Sequence, residues 1–280
     1  MSAITLERPP SLGRLYARAL ASARRRRGDR LPEATLELAG LAIDRDLLGR
    51  YLQVCGFRQS DRLPPTYPHL LAFPLAMSLM VDPAFPFPLP GLVHVSNRIS
   101  QKRALTAEDR LSLRVHAAGL RVHPRGRQVD LLTEASAGSE DVWSEVSTYL
   151  HIERRSSPAS RTAAASGPAP QASALWRLRS DLGRRYAAVS GDVNPIHLNP
   201  LAARLFGFRR AIAHGMWLKA RCLAALEGRV PDSLIAEVEF RSPVLLPSTV
   251  GFAGQRRDSG WTVELFQPSS GRRHLSGSIG

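Results

Sequence analysis

The sequence predicts an α+β protein made of two similar units, each with one long buried helix packed against an antiparallel sheet. Residues 155–174 are rich in Ser, Ala, Pro and Gly and lack apolar periodicity, so we interpret them as a linker. The flanking segments, 1–154 and 175–280, both place helical patterns before strand patterns. A weak internal repeat, LAFP at 71–74 against IAHG at 212–215, indicates the same division.

Two helices are predicted in the first unit. Asp44 is placed to cap a helix whose apolar face includes Tyr51. Residues 69–80 form a second apolar, helix-like segment, which Pro74 should interrupt because proline removes a backbone donor and crowds the preceding turn.

Three helices are predicted in the second unit. Ser180 is placed to cap the first, and Gly191 should end it. Asn199, followed by proline, should begin a short helix. Residues 214–226 are apolar on nearly every side apart from Lys219 and one arginine, which indicates a buried helix.

Strands are predicted where apolar and polar residues alternate. Because the turns between them are short, the sheets should be antiparallel. The alternating segments are 93–99, 111–116 and 142–149 in the first unit and 234–241 and 261–265 in the second.

The overall composition indicates a globular protein of the cytoplasm. The chain has 280 residues with 44% hydrophobic residues, and it contains no apolar run long enough to span a membrane. The N-terminus shows no apolar signal region, and Cys55 and Cys222 lie in apolar surroundings typical of core residues in a reducing compartment. A net charge of +14 favours polyanionic partners, but no stretch interleaves basic residues with exposed aromatics, so nucleic acid is not expected.

An arginine run at 24–27 follows an apolar helical stripe near the N-terminus. We expect the stripe to dock on the protein's own core, with attachment to a membrane surface as the alternative. The stripe consists of Leu12, Leu15, Tyr16, Ala19 and Leu20.

The strongest chemical signal is a polar loop after the first helix of the second unit. Asp192 and His197 are five residues apart, and Asn194 with the following proline should form a turn between them. Such a turn could bring a carboxylate and an imidazole to one point, where they can deprotonate and reprotonate a water molecule. Alternatively, Asp192 and Asn194 only satisfy backbone amides of the turn.

A second signal lies at the start of the buried helix of the second unit. His214 and Gly215 open that helix, so the Gly215 amide should belong to the unpaired first turn, where the helix dipole favours negative charge. Glycine also lets a ligand approach the backbone closely. This arrangement suits a thioester oxygen that becomes enolate-like, although the glycine could equally serve helix packing alone.

These residues resemble the MaoC-type (R)-specific enoyl-CoA hydratase family. The resemblance rests on YAAVSGDVNPIH at 186–197, Ala202, the Gly-Phe pair at 207–208 and IAHGM at 212–216, and F-x-x-P-V at 240–244 extends it to the next strand. The whole chain is similar to bacterial 3-hydroxyacyl-thioester dehydratases with two hotdog units.

The resemblance implies a double hotdog fold and reversible syn hydration of trans-2-enoyl thioesters to (R)-3-hydroxyacyl thioesters, carried on CoA or acyl carrier protein. It implies no cofactor and no metal, and it leaves a homodimer open. Asp192 and His197 would be the catalytic pair, the Gly215 amide the oxyanion donor, and Asn194 and His214 supporting residues. Many members carry a supporting serine in the buried helix, where this chain has Leu223.

The first unit lacks the Asp-x-Asn-Pro-x-His motif, and the internal repeat places Pro74, which has no amide hydrogen, opposite Gly215. The resemblance therefore implies a degenerate first unit that helps to form the acyl-chain tunnel. Two alternatives remain: an acyl thioesterase on the same fold, and a non-catalytic acyl-thioester-binding protein.

Overall fold

The structure, a computed structural model, describes residues 2–22, 30–89, 91–153 and 169–280. The arginine run 24–27 and most of the predicted linker lie outside these ranges. Two cysteines predicted to be core residues, Cys55 and Cys222, are free and buried.

The prediction that helices precede strands is right only in part: each unit begins with a strand, strands also lie between the helices of the first unit, and the remaining strands follow the last helix of each unit. The helices are α1 (Leu12–Ser22), α2 (Arg45–Cys55), α3 (Tyr67–Met80), α4 (Leu182–Ser190), α5 (Pro195–Leu198), α6 (Pro200–Leu205) and α7 (Gly215–Ala225). The strands of the first unit are β1 (Ser2–Leu6), β2 (Ala34–Leu41), β3 (Arg62–Leu63), β4 (Leu92–Gln101), β5 (Leu105–Thr106), β6 (Leu111–His123), β7 (Gly126–Ala137) and β8 (Glu140–Ile152). Those of the second are β9 (Ala174–Leu178), β10 (Leu234–Phe240), β11 (Ser248–Arg257), β12 (Gly260–Phe266) and β13 (Arg273–Ile279).

Within the described residues, one large sheet runs through both units in the order β1-β2-β6-β7-β8-β4-β10-β13-β12-β11-β9. Without β1, the strands of this sheet have the same spatial order in the two units when they are counted along the chain: first, third, fourth, fifth and second, from the outer edge of the sheet inward. This order is β2-β6-β7-β8-β4 in the first unit and β9-β11-β12-β13-β10 in the second, which confirms the duplicated unit. All pairings are antiparallel except β1 with β2. With a long buried helix against each half, the fold is the predicted double hotdog.

Helix α3 corrects one prediction, because it runs through Pro74 without interruption. Ten of its fourteen residues are buried, and this packing on nearly all sides offsets the backbone hydrogen bond that proline removes. The repeat that aligned Pro74 with Gly215 is also wrong: Pro74 lies in the middle of α3, whereas Gly215 is the first residue of α7.

The helix caps were predicted in part. Asp44 caps α2 by accepting hydrogen bonds from the amides of Asp46 and Leu47, and Gly191 ends α4. Ser180 does not cap α4: the residue before that helix is Asp181, and its side chain makes no capping bond. Among the described residues, no helix is both long and apolar enough to cross a membrane.

The two units meet where β4 pairs with β10, and a buried polar network crosses this seam. Lys219 of α7 is fully buried and donates hydrogen bonds to the Asn97 side chain and to the backbone carbonyls of Asn97 and Ala236, at 3.2 and 2.9 Å. The Asn97 amide donates to Glu145, which also contacts His69 Nδ1 at 2.9 Å. Burial lowers the pKa of Lys219 to about 7.

This shift predicts that the contribution of Lys219 to the free energy of unfolding rises with pH between about 7 and 10.5. The unfolded chain keeps a proton on Lys219 up to the ordinary pKa of 10.5, whereas the folded chain releases it near 7, so the unfolded state binds more protons in this window. Denaturant unfolding at a series of pH values measures the slope. The slope for Lys219→Met should be lower than that for the unmodified chain between pH 7 and 10.5, and an equal slope in both proteins would contradict the assignment.

Candidate active site

The polar loop begins where Gly191 ends α4 in the left-handed conformation, with φ of 71°. A side chain at this position would be strained, and its Cβ would lie 2.3 Å from Leu12 Cδ1. The sharp end of α4 turns the chain so that Asp192 follows directly on a buried helix.

Asn194 fixes the next part of the loop. The Asn194 side-chain oxygen accepts a hydrogen bond from the Ile196 amide at 3.3 Å, and the backbone amide of Asn194 donates to Asp192 Oδ1 at 3.2 Å. The expected turn is therefore the cap of a short helix, α5, which carries His197. Gly183 of α4 packs so closely on this helix that a Cβ there would lie 1.9 Å from the His197 carbonyl oxygen.

His197 is held in one tautomer by a backbone carbonyl. Its Nδ1 lies 2.8 Å from the Ile212 carbonyl oxygen, which can only accept, so Nδ1 carries the proton and Nε2 keeps a free lone pair. Burial lowers the pKa of His197, although Asp192 and the bond to Ile212 oppose this shift. The imidazole is therefore neutral at pH 7 and can accept a proton at Nε2.

His214, immediately before α7, packs under His197. It is 3% exposed, and the two rings stack with their centroids 3.7 Å apart. Its Nε2 donates to the backbone carbonyl of Asp192 at 3.0 Å. Burial, together with the neighbouring His197, lowers the pKa of His214 to about 3. His214 is therefore a neutral support that ties the start of α7 to the Asp192 loop.

Asp192 carries the negative charge of the site. Burial by itself would raise the pKa of Asp192, but His214, His197, the Asn194 amide and the Tyr16 hydroxyl together lower it. Its side chain keeps 29% of its surface exposed, so a small molecule can reach the carboxylate. Ionised Asp192 and neutral His197 thus present two proton acceptors to the same space.

The ligating atoms of Asp192, His197 and His214 lie within 4.8 Å of one another, a spacing that a metal ion could use. However, His214 Nε2 directs its proton to the Asp192 carbonyl, so this nitrogen could ligate a metal only after breaking that bond. The two remaining groups, the Asp192 carboxylate and His197 Nε2, are suited to holding one water molecule.

Gly215, the first residue of α7, directly follows His214, which contacts both members of this pair. Amides in the first turn have no partner within the helix, and the dipole makes the helix start favourable for negative charge. A Cβ at this position would lie 3.0 Å from the Phe240 ring, so the ring forms one wall next to the amide.

Tyr16 is a site residue that the sequence did not indicate. Its hydroxyl donates a hydrogen bond to Asp192 Oδ1 at 3.0 Å, although the two residues are 176 positions apart.

The predicted docking of the apolar N-terminal stripe on the core is confirmed by Leu15 and Ala19, which are buried, whereas Leu20 is 70% exposed. Leu223, where the resemblance to the family implied a supporting serine, is a buried apolar residue.

The chain is similar to known proteins over most of its length. The family model described as "MaoC like domain" matches residues 162–270. The 3-hydroxyacyl-thioester dehydratase X of Mycobacterium tuberculosis is 42% identical over 255 residues, which cover 90% of this chain and 91% of the relative. The chain belongs to the MaoC-like dehydratase family.

Solved structures of MaoC-like dehydratases are similar over nearly the whole chain. The crystal structure of HtdX from Mycobacterium tuberculosis has 40% sequence identity and a TM-score of 0.79, covering 88% of this chain and 98% of that one. A MaoC-like dehydratase from Phytophthora capsici has 19% identity and a TM-score of 0.70, covering 89% and 94%. The latter shows a shared fold alone.

The geometry predicts that His197 titrates below its ordinary pKa of 6.5 and that His214 has a pKa of about 3, because burial opposes the charged form of both rings. Nitrogen-15 NMR of the imidazoles reports both the tautomer and the titration of each ring. We expect a protonated Nδ1 and an unprotonated Nε2 for His197 at pH 7. A His197 ring that titrates at or above 6.5, or that carries its proton on Nε2, would contradict this interpretation.

Proposed function

We propose that this MaoC-like dehydratase carries out the reversible hydration of trans-2-enoyl thioesters to (R)-3-hydroxyacyl thioesters at a site formed by Asp192, His197 and the Gly215 amide. The observation that supports these roles most strongly is the bond from His197 Nδ1 to the Ile212 carbonyl. It leaves Nε2 unprotonated on an imidazole that has a ring nitrogen within 4.8 Å of an ionised carboxylate, so both groups can hold one water.

In the hydration direction, the water oxygen forms a bond to C3 of the enoyl group while the Asp192–His197 pair accepts one of its protons. The π electrons of the C2–C3 bond move toward the thioester carbonyl, whose oxygen becomes enolate-like. The pair then returns a proton to C2, and the carbonyl re-forms. Dehydration follows the same steps in reverse, so no other reactant is needed.

The Gly215 amide is proposed to donate a hydrogen bond to the thioester oxygen. Such a donor is most useful when the oxygen gains charge, and the start of α7 adds the favourable dipole. His214 holds the start of α7 against the Asp192 loop through its 3.0 Å bond, and Asn194 holds that loop in place. These two residues are therefore assigned supporting roles.

We assign the catalytic groups to residues 175–280 and treat 1–154 as a degenerate unit, with 155–174 as the linker. The start of α3 supports this division, because Pro68 follows Tyr67 there and proline has no amide hydrogen to donate. The first unit still faces the site: the Tyr149 ring of β8 stacks on His94, whose ring lies 5.0 Å from that of Phe240. These rings are expected to line the path of the acyl chain.

The alternative activities use the same fold in different ways. A thioesterase would direct water to the thioester carbonyl carbon, whereas the unprotonated His197 and ionised Asp192 together suit proton exchange at neighbouring carbons. A non-catalytic thioester-binding protein would not need a free imidazole lone pair next to a carboxylate.

The substrate is proposed to be a thioester on CoA or on acyl carrier protein, and the net charge of +14 favours either anionic carrier. The reaction is proposed to need no cofactor and no metal, and nucleic acid is not an expected partner. Two free, buried cysteines support a cytoplasmic location. A homodimer is a further proposal.

Replacement of either member of the pair should strongly slow catalysis. Asp192→Asn and His197→Ala should each lower kcat by at least about a hundredfold, because each removes a proton acceptor from the water. The double variant should be little slower than the slower single variant, since the groups act as a unit. Loss of enoyl-thioester absorbance measures the rate, and free-thiol release in the same assay detects thioesterase activity. Hydration at the unmodified rate by either single variant would refute the assignment.

Gly215→Pro should remove the oxyanion donor while keeping the helix. Proline is tolerated at the first helical position, and His214 already has the extended conformation, with φ of −67° and ψ of 137°, that a following proline requires. The loss of one such donor is expected to lower kcat by about 10²–10³-fold.

Gly215→Ala is the matched control, because its Cβ makes the same contact with Phe240 but the amide hydrogen remains. We expect the alanine variant to stay much closer to the unmodified rate than the proline variant. Equal rates in the two variants would show that the amide has no role beyond packing.

A further inference from the structure

Tyr16 is the side chain of the first unit that makes a direct hydrogen bond to the proposed catalytic carboxylate. Its hydroxyl lies 3.0 Å from Asp192 Oδ1. Burial, and then the charge of Asp192 and the hydrogen bond to it, raise the pKa of Tyr16 far above its ordinary value of 10.0. The hydroxyl therefore keeps its proton over the whole working range of pH, and it donates to Asp192.

Helix α1 holds this hydroxyl in place through several contacts. Before α1, β1 pairs in parallel with β2 at the edge of the sheet. Leu15 and Ala19 of the helix are buried in the core, and Leu12 lies against Gly191, the residue before Asp192. A helix fixed at three places brings Tyr16 to one definite position above the loop.

Among the described hydrogen bonds to the Asp192 carboxylate, the bond from Tyr16 is the one that a side chain donates. The Asn194 amide reaches the same oxygen, Oδ1, from the backbone, at 3.2 Å. Both donors reach Oδ1, whereas Oδ2 lies 3.8 Å from His214 Nε2.

We propose that Tyr16 is a positioning residue that orients the Asp192 carboxylate and keeps it ionised, so that the first unit completes the active site of the second. The proposal rests on the proposed role of Asp192. It gives the first unit a part in the chemistry in addition to its part in binding the acyl chain.

The effect of Tyr16 can be separated from that of its surroundings. A hydroxyl that donates to a carboxylate stabilises the charged form and lowers the pKa of the acid, so removal of the donor should raise the pKa of Asp192. The other titratable groups that face Asp192 stay in place when Tyr16 is replaced. They are Tyr149, Tyr186, His197 and His214.

Tyr16→Phe tests the proposal in the full-length chain. The variant should lower kcat for enoyl-thioester hydration by about tenfold, the usual size for a lost hydrogen bond to a charged group, with little change in KM. The acid limb of its kcat/KM profile should move to higher pH, because an Asp192 with a higher pKa is protonated sooner on acidification. A helix that merely packs on the site would leave this limb in place.

Tyr67→Phe is the matched control. Tyr67 is a buried tyrosine of α3 whose hydroxyl has no hydrogen-bond partner in the structure, so its replacement should leave both kcat and the pH profile unchanged. Circular dichroism checks the fold of each variant. Should Tyr16→Phe lose its fold, Leu12→Ala, which loosens α1 over Gly191, should give the same displacement of the acid limb.

Comparison with Asp192→Asn distinguishes the two proposals. If Asp192→Asn lowers the rate as predicted and adding Tyr16→Phe does not lower the residual rate further, Tyr16 acts through Asp192 as proposed. If Asp192→Asn lowers the rate as predicted but Tyr16→Phe keeps the unmodified rate and pH profile, or lowers the residual rate of Asp192→Asn by the same factor as that of the unmodified protein, the role of Tyr16 is overturned and the catalytic pair stands. If Asp192→Asn is as active as the unmodified protein, both proposals fail.

Discussion

The hydrogen bond from His197 to the Ile212 carbonyl is the interaction on which the rest of the site depends. The Ile212 amide donates in return to the Ile196 carbonyl at 3.1 Å, so the short helix α5 is held against the chain that leads into α7 by two bonds in opposite directions. This clamp stacks His197 on His214, and His214 in turn holds the Asp192 loop. Without the clamp, carboxylate, imidazole and helix start would be three separate features of the second unit.

Burial then decides which protonation states the clamped groups adopt. Both imidazoles lie where a positive charge is costly, so the pKa values of His197 and His214 fall, whereas Asp192 has enough donors around it to remain ionised. In this buried environment, movement of the Asp192 loop would cost free energy, because its polar groups would lose their hydrogen-bond partners. The close approach of Gly183 to the His197 carbonyl shows how little space remains between α4 and α5. Rigidity and charge state therefore have one origin.

The sequence predicted the parts of this site that lie close together along the chain. Residues 192–197 and the start of α7 each form a local motif, and Asp44, Gly191 and the alternating strands follow from local rules. The predicted interruption at Pro74 was wrong because burial on nearly all sides of α3, a tertiary effect, outweighed the local tendency of proline to break a helix. The role of Tyr16 could not be assigned because its partner, Asp192, is 176 residues away. The apolar stripe predicted that α1 docks on the protein, but no local pattern showed which part of the protein it contacts. Family membership, from 42% identity to a mycobacterial dehydratase, gives no role to that tyrosine.

The central claim is that one water, held between Asp192 and His197, approaches one face of the bound double bond. Hydration of a trans-2-enoyl thioester in D2O tests this most directly, with NMR of the product giving the relative configuration at C2 and C3. A single water held by one pair of groups predicts that the new C2 deuteron and the C3 hydroxyl lie on the same face, with the (R) configuration at C3. Deuterium on both faces or on the opposite face, or release of free thiol without a hydrated product, would contradict the account.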